Sequence, residues 1–204
     1  MISRAFPNQY GAKATHFRQA RRYAMASAQE AGALWEFRWA STSGLCLVNR
    51  VVLKAVQIAN ATAEELRFNL KVARTFTATD DTNTASILRA NDMQKLNGDY
   101  ADSILTEFRE TNSATAAAGG TKTLDTDSLV QGSFVSITTA STTVSGGGYT
   151  QVFSFNPIAA QEQPLRLEAN EGWVVSLEAT KGATTGVVLI LETAWTEVLN
   201  WTDV

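Results

Sequence analysis

Residues 34–41 read LWEFRWAS. Trp35, Phe37 and Trp39 alternate with Glu36 and Arg38. That period of two belongs to a strand with one face in a core and the other towards solvent. The same period recurs along the chain. LRFNLKVARTF (66–76) sets Leu66, Phe68, Leu70 and Val72 against Arg67, Asn69 and Lys71, and GLCLVNRVVLKAVQI (44–58) reads as a long strand or a bent pair. SILTEFRE (103–110), SLVQGSFVSITTA (128–140) and TQVFSFNPI (150–158) continue the pattern. Near the C-terminus, LRLEANEGWVVSLEATKGATTGVVLILETAWTEVL (165–199) reads as three strands, with turns at Asn170-Glu171-Gly172 and Lys181-Gly182-Ala183. Val187–Leu191 is apolar on both faces, as in a central strand. About eight to ten strands with short connections predict an all-β, antiparallel β-sandwich, and eight is the jelly-roll number.

Composition agrees. A chain of 204 residues holds one sandwich with an extension, and only 18% of residues are charged, which with abundant Thr and Ser suits a sheet surface. The single cysteine, Cys46, excludes an intrachain disulfide and reads as a small buried hydrophobe. No apolar run approaches the ~20 residues of a membrane helix, and the first 25 residues have no signal-peptide core. A soluble protein made without export is expected.

Charge is unevenly placed. Residues 1–23 hold Arg4, Lys13, Arg18, Arg21 and Arg22 and no acid, whereas the remainder holds 12 Lys and Arg against 20 Asp and Glu. Residues 1–32 are assigned as a basic N-terminal arm and 33–204 as the sandwich. Within the arm, ATHFRQARRYAMASAQEA (14–31) is rich in alanine and stops at Gly32, which predicts a helix. On that helix Arg18, Arg21 and Arg22 form a stripe. Arg4, Lys13, Phe17, Arg18, Arg21 and Arg22 are the candidate binding residues, presented to an acidic partner.

Catalytic and metal chemistry find little support. His16 is the only histidine and lies in the arm, without the companions of a nucleophilic triad. One His and one Cys fall short of a zinc set. Gly146–Gly148 lacks the Lys-Ser or Lys-Thr of a phosphate loop and reads as a turn. The paired acids Asp80-Asp81, Asp99/Asp102 and Asp125/Asp127 lack EF-hand spacing and read as solvated loop residues. No enzyme activity, cofactor or metal is expected. Trp35, Trp39, Trp173 and Trp195 sit within strand patterns and are assigned to core or subunit packing, while Trp201 lies beyond the last strand.

The basic arm, LWEFRWAS, the hydrophobic strands after it, ARTFTATDDTNTASIL (73–88), MQKLNG (93–98), TAAAGGTKTLD (115–125), EGWVVSLEA (171–179) and GVVLILETAWTEV (186–198) follow one another in an order that resembles virion structural proteins of tailed bacteriophages, of the head decoration or cement type. The resemblance implies a jelly-roll body, commonly a homotrimer, bound to the major capsid protein on the capsid surface after assembly in the host cytoplasm. A tail or fibre component that binds a receptor through loops 79–100 and 111–123 is the alternative. Nucleic acid is an unlikely partner, because no aromatic-rich basic groove accompanies the arm.

Overall fold

The computed structural model describes residues 14–59, 61–88, 94–95, 102–138, 148–183 and 186–199. Its regular elements are all strands: β1 (Ala14–Ala24), β2 (Gly32–Trp39), β3 (Gly44–Gln57), β4 (Glu64–Ala78), β5 (Thr84–Ser86), β6 (Gln94–Lys95), β7 (Glu107–Thr111), β8 (Thr121–Leu124), β9 (Val130–Ser136), β10 (Thr150–Phe155), β11 (Leu165–Leu167), β12 (Glu171–Leu177) and β13 (Val187–Leu199). They form two antiparallel sheets. Sheet 1 runs β10-β3-β13-β1-β6, with β11 also on β3; sheet 2 runs β5-β7-β2-β12-β4-β8, with β9 also on β4. The sheets pack face to face as a β-sandwich.

The alternation in the sequence explains the core. Trp35, Phe37 and Trp39 of β2, Trp173 and Val175 of β12, and Phe68 and Leu70 of β4 point inward from sheet 2 and are buried. Sheet 1 answers with Phe17, Cys46, Val48, Leu53, Leu189, Leu191 and Trp195. Phe37 is the hub of an aromatic cluster. It stacks on Trp173 at 5.2 Å and meets Phe108 and Trp195 edge-on at 5.4 and 5.5 Å. Trp195 stacks in turn on Phe17 at 5.5 Å, so rings from the two sheets lock together. Such ring pairs add about 0.5–1.5 kcal/mol each beyond the area they bury. The four tryptophans assigned to packing are all fully buried; Trp201 lies outside the described residues.

One expectation is overturned. Residues 14–31 are not helical: Ala14–Ala24 is an eleven-residue strand paired along its whole length with β13, from Ala14↔Val198 to Ala24↔Val188. Alanine gains at most ~0.7 kcal/mol per residue over ordinary residues in a helix. Burying Phe17, Tyr23 and Met25 against the core is worth ~1.5–3 kcal/mol for a large apolar side chain, and only a strand brings all three to one face. Residues 14–24, placed with the arm in the sequence reading, are thus a strand inside sheet 1.

Candidate functional site

The strand conformation of β1 redistributes the candidate binding residues. Phe17, Gln19, Arg21, Tyr23 and Met25 take the inner side, and Arg18, Ala20, Arg22 and Ala24 are exposed on the outer side. Phe17 is a core residue. Arg21 reaches across to Glu110 of β7 at 3.8 Å, an ion pair that bridges the two sheets. Glu110 also accepts a hydrogen bond from Trp35 Nε1 at 2.8 Å, and burial holds its carboxyl above the usual range. The helical stripe of three arginines therefore does not exist. Arg18 and Arg22 remain together on one face; Arg4 and Lys13 lie outside the described residues.

Register builds a charged face around these two. β13 lies between β1 and β3, and three rows of outward residues cross the sheet: Arg18–Ala194–Arg50, Ala20–Glu192–Val52 and Arg22–Ile190–Lys54. Four cations occupy the corners and one carboxylate the centre. From strand geometry the corners stand about 10 Å apart across the sheet and about 13 Å along it. Glu192 Oε2 accepts from Arg50 Nη2 at 2.7 Å, and Oε1 accepts from Lys54 Nζ. The Lys54 bond, with the charges of Lys54, Arg50 and Arg18, outweighs burial and keeps the Glu192 carboxyl below its ordinary value. The carboxylate thus stays ionised and holds two of the four cations in place. A surplus of three positive charges remains around Ala20, Val52, Ile190 and Ala194, a spread that suits a broad acidic surface more than a compact ligand.

His16 continues this outer face. Its Nδ1 lies 2.7 Å from Thr196 Oγ1, which also accepts from Asn49 Nδ2 at 2.7 Å, and burial lowers the imidazole pKa. Cys46 points to the core, where burial drives its thiol well above the ordinary value. The two stand on opposite faces of sheet 1 and form no dyad.

A second charged cluster sits on the outer face of sheet 2, and sequence reasoning missed it. Lys122 Nζ lies 2.5 Å from Glu36 Oε1 and 2.7 Å from Asp80 Oδ2, and 5.8 Å above the Phe76 ring. Glu36 Oε2 accepts from the Asp80 amide at 2.7 Å, and Asp80 Oδ1 accepts from the Gly120 amide at 2.8 Å. Burial raises the Glu36 carboxyl. Burial also opposes charge on Asp80, but its bonds to Lys122, Glu36 and Gly120 leave it below its ordinary value. Gly120 is required here, because a Cβ would collide with Asp80. The cluster fastens two of the polar loops together, and backbone bonds between Thr82 and Ala118 and from Asn112 to Asn83 complete the joint. Beside it lies an open cleft of about 780 Å³ floored by Val174, Ser176, Asn69 and Lys71. No local signal marks this cluster: Glu36 alternates with buried residues as a solvent-facing acid would, and its burial at 1% exposure is what makes the cation necessary.

Among the described residues no group of three or more His, Cys, Asp or Glu is placed to hold a metal ion, and no helix is long and apolar enough to cross a membrane. No family model matches the chain, and no curated protein matches it. One solved structure, described as "Structure of Eiger TNF from S. frugiperda", aligns over 87% of this chain and 90% of its own at 8% identity, with a TM-score of 0.23. A similarity that low carries no weight for fold or function.

Proposed function

We propose that the protein is a head decoration (cement) protein of a tailed bacteriophage. In this reading it is a homotrimeric jelly roll that binds the major capsid protein at the capsid surface and stabilises the lattice, without catalysis, metal or cofactor. The strand orders support the jelly-roll reading. β1-β13-β3-β10 faces β2-β12-β4-β9, the order of two interlocked Greek keys, an architecture common in viral capsid and lectin domains. The observation that carries the binding role is the four-cornered basic face. An acidic chain, net charge −3, gathers Arg18, Arg22, Arg50 and Lys54 on the outer side of one sheet. Acidic protein surfaces attract such a face over a Debye length of ~8 Å at physiological salt. The tail or receptor-binding alternative draws on the joint between the loops at 79–88 and 112–120, next to the open cleft on sheet 2.

The test uses phage heads stripped of the protein. Wild type should co-sediment with them, and binding should weaken as salt rises. Arg18→Glu/Arg22→Glu should lower the affinity by about 10- to 100-fold with the fold intact, since both side chains are exposed. Arg21 is left alone because of its pairing with Glu110. Undiminished binding by the double variant would remove this face from attachment. Location of the protein in tails, with binding to host-surface glycans, would replace decoration by the alternative.

A further inference from the structure

From Ser128 to Gln161 the sequence runs 34 residues without an Asp, Glu, Lys, Arg or His; all 17 Lys and Arg and all 20 Asp and Glu lie elsewhere. This stretch contains β9 and β10. Among the described residues β9 pairs only with β4 and β10 only with β3, so each is an edge of its sheet. The two edges touch backbone to backbone: Gly132 of β9 lies so close to the Val152 carbonyl of β10 that a Cβ would collide with it. One flank of the sandwich is therefore formed by two touching strands without a charged side chain, β9 of sheet 2 and β10 of sheet 1; beside the outward row of β9 stand Glu65 and Arg67 of β4, which pair with each other at 2.8 Å.

The same flank gathers the exposed apolar groups. Five large apolar side chains are exposed among the described residues, and Leu129, Val135, Ile137 and Tyr149 all belong to this run, with Val135 63% and Ile137 56% exposed. The fifth, Ile58, sits beside Ile137, because Gln57 Nε2 donates to the Ile137 carbonyl at 2.6 Å and the Ile137 amide donates to Gln57 Oε1 at 3.0 Å. Edge strands usually carry charge or proline as protection against pairing with other chains. β9 and β10 carry neither device.

Charge also selects the occupant. Two copies of an acidic chain repel wherever their acidic surfaces meet, whereas on this flank the strands carry no charge and the bordering Glu65 and Arg67 offset each other. An uncharged apolar surface is complementary to itself. We infer that this flank is where copies of the chain associate, with Val135 and Ile137 buried between protomers. The inference concerns assembly alone and stands whatever the assembled protein attaches to.

Sedimentation velocity on the full chain tests it. Wild type should sediment as an oligomer at micromolar concentration. Val135→Lys/Ile137→Lys should raise the dissociation constant by at least about 100-fold, because each contact would then have to desolvate added ammonium groups, a cost that Glu65 opposite Val135 offsets only in part. Tryptophan fluorescence should be unchanged, since both side chains are exposed in the protomer and the buried tryptophans lie elsewhere. Ile58→Lys should weaken association in the same direction, while Arg18→Glu/Arg22→Glu should leave it intact, so that failure of assembly and failure of attachment are read separately. A monomeric wild type at about 100 μM, or an oligomer that survives both sets of lysines, would overturn the inference.

Discussion

Truncation of Phe17 decides whether residues 14–24 belong to the fold. Phe17 is 1% exposed, stacks on Trp195 at 5.5 Å and sits in the main core cluster. Phe17→Ala removes a whole ring from between the sheets, and such a change in a packed core costs about 3–5 kcal/mol. Domains of this size have ~5–15 kcal/mol in total, so a large share of the stability disappears. At ~2–4 °C per kcal/mol, the melting temperature should fall by roughly 6–20 °C. Arg18→Ala, one residue away on the exposed side, should change stability by less than ~0.5 kcal/mol. Urea unfolding followed by tryptophan fluorescence measures both, with the oligomer held at one protein concentration. If Phe17→Ala costs under ~1 kcal/mol, β1 is not an integral strand and the segment acts as a detachable arm.

Lys122→Met leaves Glu36 buried without its cation and should cost about 3–5 kcal/mol in urea unfolding, whereas Lys122→Met/Glu36→Gln should recover much of the loss. No recovery in the double variant would mean that the cluster does not act as a charge unit. The Tyr23 phenol, buried and facing Glu110, is pushed from 10.0 up to about 12. Its folded pKa lies above its unfolded one, so its contribution is complete below pH 10 and is lost as pH rises towards 12. Tyr23→Phe should flatten the alkaline stability profile across that window, and an unchanged slope would exclude Tyr23 as its source.

The strands with clean alternation were legible because burial on one side is all that a period of two requires. β2, β4, β12 and β13 were readable from Trp35/Phe37/Trp39, Leu66/Phe68/Leu70, Trp173/Val175 and Leu189/Leu191. β1 was misread for a physical reason. Its inner row includes Gln19 and Arg21, which are polar, while its alanines favour a helix and its arginines happen to fall at helical spacing. Pairing with β13 along eleven residues overrides that preference, and the partner strand lies some 180 positions away, beyond the reach of any local pattern. The four-cornered basic face was half visible for the same reason. Arg18 and Arg22 stood out, but Arg50, Lys54 and Glu192 joined them only through register. The Glu36–Lys122–Asp80 cluster brings together two strands, β2 and β8, and the loop after β4, and had no sequence spacing of its own. The uncharged run from Ser128 to Gln161 was readable from composition and gains meaning only because both of its strands are edges.

The positions of β12 and β13 have a consequence for how the chain folds. β12 holds β2 and β4 together in sheet 2, and β13 holds β1 and β3 together in sheet 1, yet both come after all four of these strands in the sequence. Without β13, β1 has no central neighbour in sheet 1, and without β12, β2 and β4 are not joined in sheet 2. The long loops that must close before these contacts form place folding in the slow, milliseconds-to-seconds range of β-rich chains. Until β12 and β13 dock, each of β1, β2, β3 and β4 keeps one side without its long partner, and such edges expose a slowly folding chain to aggregation.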